Sequence, residues 1–200
     1  MDEYLPFISN LFKKYGVKSI SMDDIARELK KSKKTLYKHF ENKEDVVYQV
    51  AQFEIKNEFS ELTKLCIRHE HAINELLMIS KYIIQRNFSI NSSLIFSMTK
   101  YYPHIWEGIM RERKESILNF IKQNIQKGIE QNIYRIDINF NVISIFYSFL
   151  LDIKSIEMYN DEFKDGFEKV FNLIFMYHIR GIATQNGIEY FEKQFIKLNN

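Results

Sequence analysis

The sequence predicts an all-α protein. Apolar residues recur at helical spacing along nearly the whole chain, and no segment shows the strict apolar–polar alternation of a half-buried strand. Six glycines and two prolines in 200 residues leave little material for β-turns. Hydrophobic residues make up 46% of the chain and charged residues 27%, a balance typical of folded globular proteins and not of disordered ones. Together these observations predict a folded, helical chain.

The first predicted helix is amphipathic. Leu5, Ile8, Phe12 and Tyr15 lie on one face at helical spacing, and Gly16 follows as a natural C-terminal stop. We therefore expect a helix that presents one apolar face to a small core.

Three candidate N-cap residues then begin the next helices. Ser21, with Asp24 three residues later, matches a capping box, and the apolar stripe behind it extends to Leu29. Ser32 is the N-cap of a shorter helix, and Asn42 is the N-cap of a long one. This spacing predicts three short helices followed by a long helix that leads into the rest of the chain.

The remaining helices follow from the same periodicity. We predict them at about 71–87, 90–102, 104–131, 139–158, 162–182 and 187–197. Asn132 follows the predicted helix at 104–131, at a position where a glycine is usual, and it tolerates the left-handed conformation. Asp137 or Asn139 is expected to cap the helix that follows.

Positive charge is concentrated in one short segment. Residues 27–43 hold seven basic and two acidic side chains, a net +5, so the rest of the chain sums to −3 within the total of +2. Such clustering favours a polyanionic partner, although lysines that merely solubilise a surface are also common.

The short helices predict a helix-turn-helix. The last two of the three are separated by a turn at Lys30 and Lys31, and the second helix of such a pair enters the major groove of DNA. Long cationic side chains at its tip suit guanine or phosphate, and a threonine methyl suits thymine. The candidate DNA contacts are Lys33, Lys34, Thr35, Tyr37, His39 and Lys43. The alternative for Tyr37 and His39 is that they are half-buried packing residues.

The segment SISMDDIARELKKSKKTLYKHFENKEDVV resembles the DNA-binding signature of the TetR family of bacterial transcriptional regulators. The resemblance covers about the first fifty residues and implies a homodimeric, ligand-responsive repressor that binds a double-stranded DNA operator. By position, Lys33, Lys34 and Thr35 would read bases, and Ser21, Tyr37, His39 and Lys43 would hold phosphates. Lys30 occupies a turn position where the family usually has glycine, so we expect a less favourable backbone conformation there.

The C-terminal part is predicted to carry dimerisation and effector binding, which divides the chain into domains at residues 1–47 and 48–200. Two predicted helices are apolar around more than one face, and a second subunit is the simplest way to bury both faces. The alternative is an internal helix of a monomer. The interface candidates are Phe146, Phe149, Val170 and Ile174. The candidate lining of a pocket for an unknown small apolar or amphipathic effector is Phe88, Phe96, Tyr101, Trp106, Met110 and Tyr147; the alternative is ordinary core.

Other classes of function have little support in the sequence. His69 and His71 are two residues apart, which places them on different helix faces and not in the arrangement of a zinc helix. We see no nucleophile elbow and no glycine-rich phosphate loop, and we expect no enzyme, no metal and no cofactor. A single cysteine, no recognisable signal peptide and no apolar run long enough for a bilayer predict a cytoplasmic protein. Two alternatives remain open: a helix-turn-helix protein that recruits a partner without a small ligand, and a helical binding protein for a lipid-like molecule.

Overall fold

The computed structural model describes residues 3–67, 71–87, 92–150 and 167–199, and throughout these ranges the regular structure is helical. An isolated antiparallel bridge joins Tyr134 to Ala183. The all-α prediction is therefore confirmed. The helices are α1 (Leu5–Tyr15), α2 (Met22–Glu28), α3 (Lys33–Leu36), α4 (Lys43–Ile67), α5 (Ala72–Asn87), α6 (Ser92–Tyr101), α7 (Pro103–Glu130), α8 (Phe140–Leu150), α9 (Phe167–Ile182) and α10 (Gln185–Asn199).

The three predicted N-caps are present. The Ser21 hydroxyl accepts a hydrogen bond from the Asp24 N–H (3.2 Å), and the Asp24 carboxylate accepts one from the Ser21 N–H (2.9 Å), which completes the capping box of α2. Ser32 caps α3 through its hydroxyl at 3.0 Å, and the Asn42 amide oxygen caps α4 at 2.9 Å. These caps satisfy backbone donors that a helix leaves free at its N-terminus, so they fix where each helix begins.

The turns also follow the sequence expectations. Gly16 ends α1 with a φ of 80°, and Lys30 and Asn132 adopt left-handed conformations with φ of 54° and 57°. Lys30 thus takes the unfavourable conformation that glycine would adopt at little cost. Of the two candidates before α8, Asn139 is the cap, because its side chain accepts from the N–H three residues on, at 3.2 Å; Asp137 instead pairs with a neighbouring arginine.

The chain divides into two compact units. The first comprises Met1–Ser60 with Ile90–Arg113, and the second comprises Glu61–Ser89 with Lys114–Asn200. The boundary predicted between residues 47 and 48 is a different division, between a DNA-binding domain and an effector-binding and dimerisation domain. It stays a prediction.

The first unit has an apolar core formed by α1 to α4 with parts of α6 and α7. Ile8, Ile25, Leu36, Phe40 and Val46 are almost completely buried in it. Leu36 and Phe40 therefore anchor the segment around α3, as their spacing predicts, and Tyr37 and Lys38 between them are exposed.

A buried ion pair joins α4 to α7 within the first unit. The Arg113 guanidinium donates to both carboxylate oxygens of Glu58, at 2.7 and 3.0 Å, and the Glu58 side chain is only 3% exposed. A bidentate pair of this kind fixes both distance and orientation. It therefore holds the two helices at a defined register.

The second unit contains a buried polar network between α5 and α7. The Asn124 amide donates to the Ala72 carbonyl (2.9 Å) and to the Glu75 carboxylate (2.7 Å), which also pairs with Lys127 at 2.5 Å. The Tyr134 hydroxyl donates to the Asn124 carbonyl oxygen at 3.2 Å, and burial raises the pKa of Tyr134 well above its usual range. The polar groups satisfy one another, which makes their burial tolerable.

The two glycines of α7 have different surroundings. A Cβ on Gly128 would overlap the ring of Tyr134, whereas a Cβ on Gly108 would meet open space. Gly128 is therefore required by a close approach, and Gly108 is not.

No helix in the part of the chain that the structure describes combines the length and the apolar character that crossing a membrane requires. In the same ranges, His, Cys, Asp and Glu side chains do not gather into a group able to hold a metal ion.

Candidate nucleic-acid interface

The short helix α3 presents polar side chains to solvent. Leu36 and Phe40 are each 1% exposed, so they fix one side of the segment against the core. Lys33, Lys34 and Tyr37 are exposed on the segment between Ser32 and Phe40. This arrangement suits a surface that meets a polyanion, because long cationic side chains are held on a rigid support.

The two lysines at the start of α3 differ in their partners. The Lys33 ammonium forms an ion pair with the Asp23 carboxylate of α2, at 2.5 Å, and both side chains are 58% exposed. Lys34 forms neither an ion pair nor a hydrogen bond with the residues that the structure describes. Lys34 is thus the side chain that is immediately available to a ligand, and Lys33 has to share or exchange its partner.

Asp24, next to Asp23, is fully engaged within α2. Its carboxylate accepts from the Ser21 N–H and hydroxyl and from the Arg27 guanidinium. The hydrogen bonds from Ser21 are the largest cause that holds the pKa of Asp24 below its usual value. Asp24 therefore serves the helix cap, while Asp23 reaches across to α3.

Thr35 lies beside the N-cap of its own helix. Its hydroxyl is 2.8 Å from that of Ser32, within hydrogen-bonding distance. A base contact through the Thr35 hydroxyl would compete with this hydrogen bond. A contact between the Thr35 methyl group and a base would not.

The two predicted aromatic phosphate contacts differ in environment. Tyr37 is 50% exposed, whereas His39 is partly buried with its ring edge-on to Tyr4, at 5.4 Å between centroids. The packing alternative therefore applies to His39 more than to Tyr37. Both roles stay predictions.

Lys43, the predicted phosphate contact at the start of α4, is folded back on the core. Its Nζ atom is buried 4.0 Å from the centroid of the Phe12 ring, and no hydrogen-bond partner for it occurs among the described residues. Burial lowers the pKa of Lys43 to about 8, and the Asp24 carboxylate opposes this shift. A phosphate contact thus requires Lys43 to leave the Phe12 ring.

The pocket candidates in the first unit are of two kinds. Phe96 and Tyr101 are exposed, and the Lys100 ammonium lies over their rings at 5.1 and 5.4 Å. Trp106 and Met110 pack against the apolar core of the unit. Phe88 lies outside the described residues, and the pocket stays a prediction.

Tyr147, the pocket candidate in the second unit, forms a buried pair with His178. The Tyr147 hydroxyl lies 2.9 Å from His178 Nε2, and the Phe146 ring stacks on the imidazole with centroids 4.8 Å apart. Burial lowers the pKa of His178 to about 4 and raises that of Tyr147. The imidazole is therefore neutral near pH 7, and the pair is a polar site inside apolar surroundings. The sequence did not show it, because the residues are on different helices.

The interface candidates lie on α8 and α9 of the second unit. Phe146 stacks on His178, Val170 and Ile174 are partly buried, and the Phe149 side chain is outside the described part of the chain. The same two helices expose apolar side chains that are not among the interface candidates: Val142, Ile145, Leu173 and Tyr177.

Comparisons with known proteins agree with the helix-turn-helix. Residues 9–50 match the model of the family described as bacterial regulatory proteins, tetR family. The chain is 26% identical over 161 residues to an HTH-type transcriptional regulator of Staphylococcus aureus (strain bovine RF122/ET3-1), and the match covers 72% of this chain and 85% of that protein.

Solved structures share the fold. A transcriptional regulator from Saccharomonospora viridis, in complex with choline, is 19% identical with a TM-score of 0.66 and covers 91% of this chain and 96% of its own. The fatty acid degradation regulator FadR from Bacillus halodurans is 14% identical with a TM-score of 0.60 and covers 82% of this chain and 86% of its own. At such identities the likeness shows the fold alone. Together with the two sequence matches, it confirms the resemblance predicted from the motif.

Proposed function

We propose that this TetR-family transcriptional regulator, which carries a helix-turn-helix DNA-binding motif, represses transcription as a homodimer on a palindromic operator and is released by a small effector. The observation that carries the proposal is the surface around α3, where exposed lysines and Tyr37 project from a segment anchored by Leu36 and Phe40. A recognition helix needs both parts: side chains that reach base edges, and a buried side that fixes their position.

The proposed contacts divide into two groups. Lys33, Lys34 and Thr35 lie in the first turn of α3 and are proposed to read bases, since the N-terminal residues of a recognition helix reach deepest into the groove. The phosphate contacts are proposed to be Ser21, Tyr37, His39 and Lys43. Such contacts set the position of the protein on the duplex and contribute most of the salt-dependent affinity.

Dimerisation is proposed to occur through α8 and α9. Val142, Ile145, Leu173 and Tyr177 expose apolar surface on these two helices, which contact each other through Tyr147 and His178. A two-fold axis there would bring the same patch of a second copy against this one, which buries both. A two-fold symmetric dimer then reads a palindrome with half-sites about 34–36 Å apart.

The proposed effector is apolar or amphipathic. Tyr147 and His178 offer one hydrogen-bonding pair among aromatic neighbours, a combination typical of sites for small, mostly apolar ligands. The related folds include one regulator described in complex with choline and one that is a fatty acid degradation regulator. These classes are therefore the first to test. An effector releases DNA only to the extent that it binds the DNA-free conformation more tightly.

The test begins with selection of duplexes from a random-sequence library by the wild-type protein. Lys34→Ala should weaken binding to the selected duplex by about 1–3 kcal/mol and relax the preference at one or two base pairs. Lys193→Ala, an exposed lysine on α10, is the matched control and should leave binding unchanged. Wild-type protein that selects no sequence and shows no salt-dependent affinity would refute the DNA-binding function.

The effector is tested on the same duplex. Choline and fatty acids that raise the melting temperature should also weaken binding to the selected duplex, and the duplex should weaken their binding by the same factor. Compounds that bind without changing DNA affinity would contradict effector control and favour partner recruitment.

A further inference from the structure

We infer that Asp23 is a specificity-determining residue of the DNA surface: its carboxylate holds Lys33 in position to read a base and makes phosphate binding by Lys33 less favourable. This inference rests on the proposed function, since it concerns how the same surface separates its operator from other DNA.

The contact joins the two helices of the helix-turn-helix. The Lys33 ammonium in the first turn of α3 lies 2.5 Å from Asp23 Oδ1 in the first turn of α2. Asp23 has no part in the capping box, which uses Asp24, and Arg27 is also paired with Asp24. The Asp23 carboxylate is thus directed at one of the lysines that are proposed to read bases.

The pair leaves Lys33 able to donate to a base. An ammonium has three N–H donors, so Lys33 can keep its bond to Asp23 while it donates to O6 and N7 of a guanine. Because the ion pair with Asp23 already restricts the Lys33 side chain, that side chain loses less conformational entropy when it binds a base. Asp23 therefore favours a contact at the base edge in front of α3.

The same carboxylate opposes contacts with phosphate. On DNA of arbitrary sequence, phosphates are the main partners of lysine side chains. Asp23 is an anion that competes with phosphate for Lys33, and its own charge is repelled by the backbone. Among the residues that the structure describes, no carboxylate pairs with Lys34, so the penalty falls on Lys33 and not on Lys34. Asp23 should thus lower affinity for arbitrary DNA more than affinity for the operator.

The experiment compares Asp23→Asn with Glu28→Gln in the full-length protein. Both variants remove one negative charge from an exposed carboxylate of α2, but only the first removes a partner of Lys33. The probes are a duplex that wild-type protein has selected from a random-sequence library and a scrambled duplex of the same composition. Binding is measured at several salt concentrations, and circular dichroism checks that each variant is folded.

We expect Asp23→Asn to bind the scrambled duplex about fivefold more tightly, a factor in the range of a surface ion pair, with little or no gain on the selected duplex. The salt slope on the scrambled duplex should steepen by up to about 0.9, the value of one additional phosphate contact. Asp23→Glu should keep the wild-type ratio of the two affinities. In a Lys33→Met background, Asp23→Asn should no longer change that ratio.

Two results would overturn the inference, and they have different meanings. If Asp23→Asn and Glu28→Gln change the affinities for both duplexes by the same factor, Asp23 acts only through net charge, while the proposed function stands. If wild-type protein selects no duplex, the proposed function fails and this inference fails with it.

Discussion

Replacing Lys43 by methionine should stabilise the folded protein. The pKa of Lys43 falls from 10.5 to about 8 because its Nζ atom is buried over the Phe12 ring. At about 1.4 kcal/mol per pKa unit, this shift corresponds to at most about 3–4 kcal/mol of destabilisation near pH 7. Part of the side chain remains in contact with solvent, so we expect about 1–2 kcal/mol. Methionine keeps an unbranched, polarisable side chain against the ring and carries no charge.

The gain should depend on pH in a defined direction. Below pH 8 the Lys43 amine is protonated in both the folded and the unfolded chain, so the penalty for burying the charge is complete. Between pH 8 and 10.5 the unfolded chain binds more protons at this residue than the folded chain, so wild-type stability rises relative to the variant. The advantage of Lys43→Met should therefore be largest near neutral pH and shrink as the pH approaches the pKa of a free lysine.

Urea denaturation at about pH 7 and about pH 10 measures both effects. The single tryptophan, Trp106, lies in the same unit as Lys43 and is a convenient fluorescence probe. Lys38→Met, which removes an exposed charge from the neighbouring segment, should change the free energy of unfolding by less than about 0.5 kcal/mol. A Lys43→Met protein that is less stable than wild type near pH 7, or whose gain does not shrink with rising pH, would refute the reasoning. Lys43→Met should also bind all DNA sequences more weakly, and the salt dependence of its DNA affinity should have a slope that is lower by about one.

Three further outcomes are expected. Tyr177→Glu should give monomers in sedimentation, because it places a charge in the proposed interface, whereas Ile136→Glu, in an exposed loop, should not. Gly128→Ala should destabilise the protein by about 1–3 kcal/mol in denaturation experiments because a Cβ there overlaps an aromatic ring, and Gly108→Ala in the same helix should stabilise it by up to about 1 kcal/mol. Wild-type stability should fall as the pH drops from 6.5 towards the pKa of about 4 of His178, since the unfolded chain binds that proton first; His178→Gln should remove about 2–3 kcal/mol of this loss. A dimeric Tyr177→Glu protein, a stable Gly128→Ala protein or an unchanged acid transition in His178→Gln would contradict the respective argument.

The features that the sequence predicts well are local. Ser21, Ser32 and Asn42 cap their helices, because each cap depends on residues within three or four positions. The left-handed conformation of Lys30 follows from the resemblance, since the family usually has glycine at that position. The anchoring role of Leu36 belongs with these, since helical spacing alone places it opposite the polar side chains.

The features that the sequence does not show depend on how helices pack. The pairs Lys33–Asp23 and Tyr147–His178 each join side chains on different helices, so the spacing of residues along the sequence does not predict them. Lys43 is a second example. A lysine at the start of α4 suits a phosphate contact, but its position over the Phe12 ring depends on how α1 packs against α4, which the sequence does not show.

The two restrained lysines should respond differently to salt, which gives a way to separate their contributions. Asp23 and Lys33 form an exposed ion pair, and mobile ions screen such pairs together with the phosphates that compete for the lysine. Lys43 is held by burial over Phe12, which added salt does not screen. Raising the salt concentration should therefore weaken the effect of Asp23 on Lys33 while leaving the free-energy cost of moving Lys43 unchanged.

It follows that, at high salt, the ratio of the affinity for the selected duplex to that for the scrambled duplex in wild-type protein should approach the ratio in Asp23→Asn. The stability gain of Lys43→Met should stay constant over the same range, and a gain that disappears with salt would mean that charge repulsion, and not burial, governs the pKa of Lys43.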